Sequence, residues 1–284
     1  MSKNMKTNIP AEENVKPIER NFLGKFGYYA GKFLVKSLTR FEVRGTENLP
    51  DSAPYLLAPN HETYVDGLLV GMGLPRKHFD KFTALAAKEL WESTGFLGKI
   101  IMRTGRGIPI DRKGSPRTSL KISINQLSEG NILMVHPEGT RSANGQLGII
   151  KEGASFIAKQ AGDPVVPVFI DGGYEIYSRH MKFPRPFKSF LKRRRLIVTY
   201  GKPLYPEDFK NSKELTKALS AWLHEMYDNK EIPREYTHEN KAYMDKLNAR
   251  LEARRLRKEQ REAEENSNEN SQKNSNDNSQ ENAD

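Results

Sequence analysis

The strongest constraint on the fold is an alternation between residues 41 and 210. There, short apolar runs are separated by stretches with helical spacing. Runs at 55–58, 82–86, 108–110, 132–136, 165–170 and 196–200 are rich in Val, Ile, Leu, Phe and Ala, as strands buried on both faces require. Between them, Ser115 and Pro116 mark a helix start, an N-cap residue followed by Pro at the first helical position. Leu120, Ile124 and Leu127 then share one face, and Gly130 ends the run. A second helix is expected over 151–161, closed by Gly162. A third is expected over 211–230, with Leu215, Leu219, Trp222 and Met226 on one side. Strands alternating with helices predict an α/β fold, a mixed sheet flanked by helices.

The flanking segments differ in character. Residues 1–19 carry Pro and charge without periodicity and are expected to be disordered. From Arg20 onward Phe22, Phe26, Tyr29 and Phe33 recur at helical spacing, Lys25, Lys32, Lys36 and Arg40 interleave with them, and no acid occurs up to Arg40. A basic-edged aromatic face suits a helix lying in a membrane interface, although an ordinary packing helix has the same spacing. Residues 20–44 are accordingly read as an N-terminal amphipathic membrane-interface helical segment, and 45–230 as the main domain. Residues 231–265 are read as a charged C-terminal helix, and 266–284, rich in Asn, Ser, Glu and Gln, as a disordered tail. No apolar stretch reaches the ~18–20 residues a spanning helix needs, and 1–19 has no signal-like apolar core. The chain is expected to lie on a membrane without crossing it.

The absence of cysteine excludes a disulfide framework, a thiolate nucleophile and a Cys-based zinc site, and it fits a reducing cytosol. A net charge of +10 points to an anionic partner. From Ile176 to Pro206 there is no acid, while Arg179, Lys182, Arg185, Lys188, Lys192, Arg193, Arg194, Arg195 and Lys202 are basic and Phe183, Phe187, Phe190 and Leu191 interleave. Such a patch suits anionic headgroups, the phosphates of coenzyme A or an acidic carrier protein.

Three segments carry possible chemistry. In Asn60-His61-Glu62-Thr63-Tyr64-Val65-Asp66, the His and Asp lie five apart, too far to share one helix face. They can meet if His61 precedes a helix whose first turn holds Asp66. The carboxylate then fixes the imidazole tautomer and stabilises the imidazolium. No Gly-x-Ser-x-Gly elbow and no Cys supply a nucleophile. A dyad alone suits a reaction whose substrate brings its own hydroxyl, such as acyl transfer from a thioester to an alcohol. Gly107-Ile108-Pro109-Ile110-Asp111-Arg112 and Val135-His136-Pro137-Glu138-Gly139-Thr140-Arg141-Ser142 each place a charged pair at a strand end. Ligands bind there in α/β sheets, and Arg can grip a phosphate bidentately. Each segment taken alone is equally well read as a buried Arg–carboxylate brace.

In this order, and followed by Val166-Pro167-Val168, these blocks resemble the glycerolipid acyltransferase family over residues 40–205. Pro-Glu-Gly-Thr-Arg-Ser is the most specific of them, and Lys151-Glu152-Gly153-Ala154 resembles the helix that follows it. The resemblance implies that His61 is the general base and Asp66 its partner. It implies that Arg112, Glu138, Gly139, Thr140 and Arg141 bind the phosphorylated acceptor, and that Pro167 belongs to the acyl-donor region. The implied reaction is transfer of a fatty acyl group from acyl-CoA or acyl carrier protein to the sn-2 hydroxyl of 1-acylglycerol-3-phosphate (lysophosphatidic acid). It would run without cofactor or metal, at the cytoplasmic face of the cell membrane. Glycerol-3-phosphate or another lysophospholipid is the alternative acceptor. His136 departs from the family pattern, which usually has Phe there. A basic nucleic-acid-binding protein is the distant alternative. It leaves the His61 block unexplained and lacks a recognised motif, so no nucleic-acid partner is expected.

Overall fold

The computed structural model describes residues 15–88, 95–111 and 114–235, together with scattered positions between 241 and 256. Residues 15–235 fall within one compact unit and those from 236 onward within another. All six apolar runs form strands of a single seven-stranded sheet: β2 (Tyr55–Pro59), β3 (Phe82–Ala87), β4 (Gly107–Ile110), β5 (Ile132–Met134), β6 (Val165–Asp171) and β9 (Arg195–Tyr200). The seventh, β1 (Arg40–Arg44), falls at the end of the segment read from sequence as interfacial. Its polar Arg-Phe-Glu-Val-Arg pattern befits an edge strand with one partner. Strand order is β1-β9-β6-β2-β5-β3-β4. Every pairing is parallel except β6 with β9, so the sheet is mixed but mainly parallel.

Helices cover both faces. One core layer joins Tyr55, Leu57, Val168 and Val198 with Leu69 and Val70 of α2 (Asp66–Gly73). The other joins Leu56, Ile108, Leu133 and Phe169 with α5 (Pro116–Ser128), α6 (Gly153–Ala161) and α8 (Ser212–Asp228). These three are the helices expected from spacing. Gly162 closes α6 in the left-handed conformation, and Asn211 caps α8 through its side chain. Two short helices, α3 (Arg76–Phe79) and α7 (Gly173–Tyr177), and the longer α4 (Gly95–Thr104) join these elements.

Residues 15–19 are tied to the body. The carbonyl of Val15 accepts from Gln126 Nε2, and the N–H of Ile18 donates to Gly107. Residues 15–19, expected to be disordered, are therefore held in place, because β4 offers an unpaired edge to occupy. Residues 231–235 are irregular, beginning with a bend, rather than helical, while the described residues between 241 and 256 are helical. Residues 1–14 and the 266–284 tail lie outside the described residues.

The first helix, α1 (Phe22–Leu38), packs the opposite way round from an ordinary amphipathic helix. Gly24, Gly27 and Gly31 face the body, against Arg103 and Ile100 of α4 and Leu68 of α2. Phe22, Phe26, Tyr29 and Phe33 face outward, with exposures of 85%, 59%, 62% and 70%. Small residues let the backbones approach, and among the aromatics Tyr28 reaches inward, onto Phe79. A Cβ on Gly24 would sit 2.8 Å from the backbone oxygen of Arg103, which cannot swing aside. Gly24→Val is expected to lower stability by about 1–3 kcal/mol, the usual cost of overpacking, read as a drop in the thermal midpoint. Phe26→Ser should leave the midpoint nearly unchanged.

Candidate active site

The site lies at the C-terminal ends of the three central strands, β6, β2 and β5. Strand β2 ends at Pro59, but Asn60 extends its ladder with a side chain. Its amide Oδ1 accepts from the N–H of Ile170 at 2.7 Å, and its Nδ2 donates to the carbonyl of Ile170 at 3.0 Å. The chain then turns through residues 61–65 and enters α2 at Asp66. That turn brings His61 and Asp66 together, with Nδ1 of His61 2.8 Å from Oδ2 of Asp66.

Asp66 is the hub of the loop. Besides His61, its carboxylate accepts from the N–H groups of Glu62 and Thr63 at 2.9 and 3.0 Å and from the Thr63 hydroxyl at 2.6 Å. Burial pushes its pKa up, while these donors hold the charged form and oppose that shift. Its side chain is 1% exposed and that of His61 is 15% exposed, so the imidazole carries the polarity outward. With Nδ1–H directed at Asp66, the neutral ring keeps its basic lone pair on Nε2.

Glu138 performs a second fixing role. Its Oε1 accepts from the N–H of His61 at 2.7 Å and its Oε2 from the N–H of Gly148 at 2.7 Å. The N–H of Ser142 in turn donates to the carbonyl of His61 at 2.8 Å. Both backbone groups of His61 are therefore held by the Pro-Glu-Gly-Thr-Arg-Ser turn. Burial pushes the Glu138 pKa up to about 7, against the two N–H bonds. Gly139 adopts φ 71°, which the turn requires and a side chain resists. Thr140 beside it is exposed.

His136 lies beneath His61. The two rings stack with centroids 3.6 Å apart and planes 11° from parallel, and Nδ1 of His136 faces the carbonyls of Pro59 and Asn60, both at 3.2 Å. Burial, then the neighbouring His61, push its pKa down to about 3, so it stays neutral near pH 7. His61, Asp66 and His136 offer ligand atoms within 4.8 Å of one another. Parallel stacked rings direct their in-plane lone pairs side by side, however, rather than at one ion.

Arg141 lies over the Tyr64 ring, its guanidinium carbon 3.3 Å from the centroid. Its buried Nη1 has no hydrogen-bond partner among the described residues. Burial pushes its pKa down, as does Arg179, which donates to the Arg141 carbonyl at 3.3 Å. A desolvated guanidinium nitrogen with no acceptor is a ready seat for an anion. Arg112 lies outside the described residues. Pro167 is buried inside β6, paired with Ala58, and its carbonyl accepts from Gly201 at 2.8 Å. It does not join the cluster around His61.

Sequence reading missed the partner of Glu62. This side chain is buried and accepts from the N–H of Tyr174 at 2.8 Å and from Nη2 of Arg234 at 2.6 Å. Arg234 also reaches Glu175 at 3.3 Å, and burial pushes both carboxyls up. Nothing local in sequence couples positions 172 residues apart. The only signal was a Glu between a buried strand and a buried helix.

With this geometry in place, similarity to known proteins is decisive. The family model described as Acyltransferase matches residues 40–171. That segment belongs to the acyltransferase family. The chain is 29% identical over 205 residues to the 1-acyl-sn-glycerol-3-phosphate acyltransferase of Bacillus subtilis, covering 71% of this chain and 93% of that protein. It is 32% identical over 177 residues to the alpha enzyme of Mus musculus, covering 60% of this chain and 58% of the mouse protein, so it spans little more than half of that relative. Among solved structures, the 1-acyl-sn-glycerophosphate (LPA) acyltransferase PlsC of Thermotoga maritima superposes with a TM-score of 0.59 at 23% identity, over 75% of this chain and 82% of that one. That likeness shows a shared fold. The acyltransferase domain, an O-acyltransferase, thus holds His61, Asp66 and Glu138 within the family-matched segment, while Arg234 lies beyond it.

Two tests address this arrangement. Glu138→Gln turns one acceptor into an NH2 group facing a backbone N–H. It should cost about 1–3 kcal/mol of stability and lower kcat more than KM. His136 stays neutral in the native state down to about pH 3, whereas the unfolded chain takes up a proton below 6.5. The native state is therefore penalised as pH falls through that window. His136→Phe, which keeps an aromatic platform, should lose stability less steeply between pH 6.5 and about 4 than the parent, measured by denaturant unfolding.

Proposed function

We propose that the protein acylates the sn-2 hydroxyl of 1-acylglycerol-3-phosphate, using acyl-CoA or acyl carrier protein as donor and releasing phosphatidic acid and the free thiol. The observation that carries this reading is the His61–Asp66 pair held in a rigid loop beside Arg141. His61 Nε2 takes the proton of the acceptor hydroxyl as its oxygen attacks the thioester carbonyl. The C–O bond forms, the tetrahedral intermediate expels the thiolate, and the imidazolium returns its proton to the sulfur. Asp66 stabilises the imidazolium between these steps, as in hydrolase triads.

Arg141, with Arg112 and the Gly139–Thr140 turn, is assigned to the acceptor phosphate. Glu138 is assigned to fixing the loop that carries His61, and Pro167 to supporting the sheet beneath the donor region. The reaction runs without cofactor or metal. The names of the Bacillus and mouse relatives support lysophosphatidic acid as acceptor. Nucleic acid is not a partner in this reading.

The enzyme would work as a peripheral protein on the cytoplasmic face of an anionic membrane. No helix among the described residues is long and apolar enough to cross one. The outward aromatic stripe of α1, edged by Lys25, Lys32 and Lys36, supports this placement. It exposes apolar area that water penalises and a lipid interface welcomes.

His61→Ala is expected to abolish transfer to 1-acylglycerol-3-phosphate, a fall of about 10²–10⁴-fold for loss of a general base, with a melting transition that stays cooperative but moves down as Asp66 loses a donor. Mass spectrometry of the products with acyl-CoA and acyl-carrier-protein donors reads the outcome. Retained turnover in this variant would refute the mechanism.

A further inference from the structure

Beyond α1, a second exposed apolar element lies in the acid-free stretch 176–206. Strands β7 (Phe187–Ser189) and β8 (Lys192–Arg193) form an antiparallel hairpin separate from the main sheet. Its tip is Phe190-Leu191, 93% and 76% exposed, and Phe183 at its base is 70% exposed.

This tip contradicts what a hairpin turn needs for stability. Leu191 adopts φ 58°, a left-handed conformation that Gly or Asn takes readily and a branched apolar residue resists. Two large apolar side chains at a turn gain nothing from the protein, since both face away from it. A position that breaks local rules without internal compensation points to an external partner.

The base of the hairpin, by contrast, is firmly held. Arg194 pairs with Glu235 at 2.6 Å, as does Lys188, and the N–H of Arg194 donates to the carbonyl of Pro186 at 2.7 Å. Arg193 Nη1 lies 3.3 Å from the carbonyls of both Lys36 and Ser37, at the C-terminal end of α1. A cation suits the negative end of a helix, and this contact joins the hairpin to the element whose aromatic stripe faces outward.

We infer that the 187–193 hairpin is a bilayer-insertion element, placing Phe190 and Leu191 among the acyl chains of an anionic membrane while Lys182, Lys192 and the neighbouring basic groups meet its headgroups. An apolar wedge ringed by cations complements an anionic lipid surface at both depths. The inference deepens the membrane placement proposed above and rests on it. It adds a second anchor, coupled to α1 through Arg193 and tethered to the body on the other side by Glu235.

The test uses the full chain carrying Phe190→Asn with Leu191→Gly, a pair that suits the turn better than the native residues. A merely structural role predicts a lower thermal midpoint. Insertion predicts an equal or higher midpoint together with a loss of roughly 100-fold or more in affinity for vesicles of equal parts phosphatidylglycerol and phosphatidylcholine, read by sedimentation, the scale expected for removing two buried apolar side chains. In parallel, Phe190→Trp should gain emission that brominated acyl chains quench in these vesicles and that stays unquenched with phosphatidylcholine alone. Unchanged vesicle binding by the Asn/Gly pair overturns the inference, as does emission from the Phe190→Trp variant that anionic vesicles leave unquenched. So does weakened binding of acyl carrier protein with vesicle binding intact, which would assign the tip to that protein. Transfer to a short-chain, water-soluble 1-acylglycerol-3-phosphate without vesicles separates the two levels. The Asn/Gly pair should keep the parent rate there, whereas a parent with no transfer refutes the proposed activity without touching the vesicle result.

Discussion

The buried Asp66 carboxylate organises the centre of this molecule. An anion out of water must be surrounded by donors, and here the donors are the loop's own backbone, a threonine hydroxyl and the imidazole of His61. Satisfying that single charge fixes residues 61–65 in one conformation, starts α2 and selects the tautomer of His61. Glu138 then repeats the device from a neighbouring strand end, binding the backbone of His61 rather than its ring. The site is thus rigid because the donors that satisfy two buried carboxyl groups belong to the loops those groups fix.

Much of this was legible in the sequence, for identifiable reasons. The six apolar strands announced themselves because strands covered on both faces have little room for polar residues. Helices α5, α6 and α8 did so through caps and one-sided spacing. Edge strand β1 was absorbed into the segment before it, since a half-exposed strand with alternating charge carries no such signature. Helix α2 was foreseen only as a condition for His61 and Asp66 to meet. Within the site, the spacing of His61 and Asp66 implied contact, and the structure provides it at 2.8 Å. The stack of His136 on His61 and the reach of Arg234 to Glu62 depend on tertiary approach, which no local pattern encodes.

Helix α1 shows how one spacing supports two opposite readings. Its aromatics repeat as a packing face would, yet the protein is met by the glycines between them. The deciding information lies in volume. The backbone of α4 comes too close for anything larger than hydrogen at Gly24, and Ile100, Thr104 and Leu68 crowd Gly27 and Gly31, so the large side chains turn outward. The outward basic and aromatic surface is therefore a consequence of how closely the inner face is packed.

The salt-bridged trio of Glu62, Glu175 and Arg234 has a consequence for what counts as the domain. Two buried acids share one guanidinium, and that guanidinium arrives from beyond the segment that defines the family. Remove the stretch that carries it and the pair of carboxyls must take up protons or draw in water, directly behind the loop that presents His61. The family-matched segment is thus not self-sufficient in this protein. Of the trio only Glu62 lies inside that segment, so the charge buried behind the His61 loop is balanced by residues contributed from a later part of the chain.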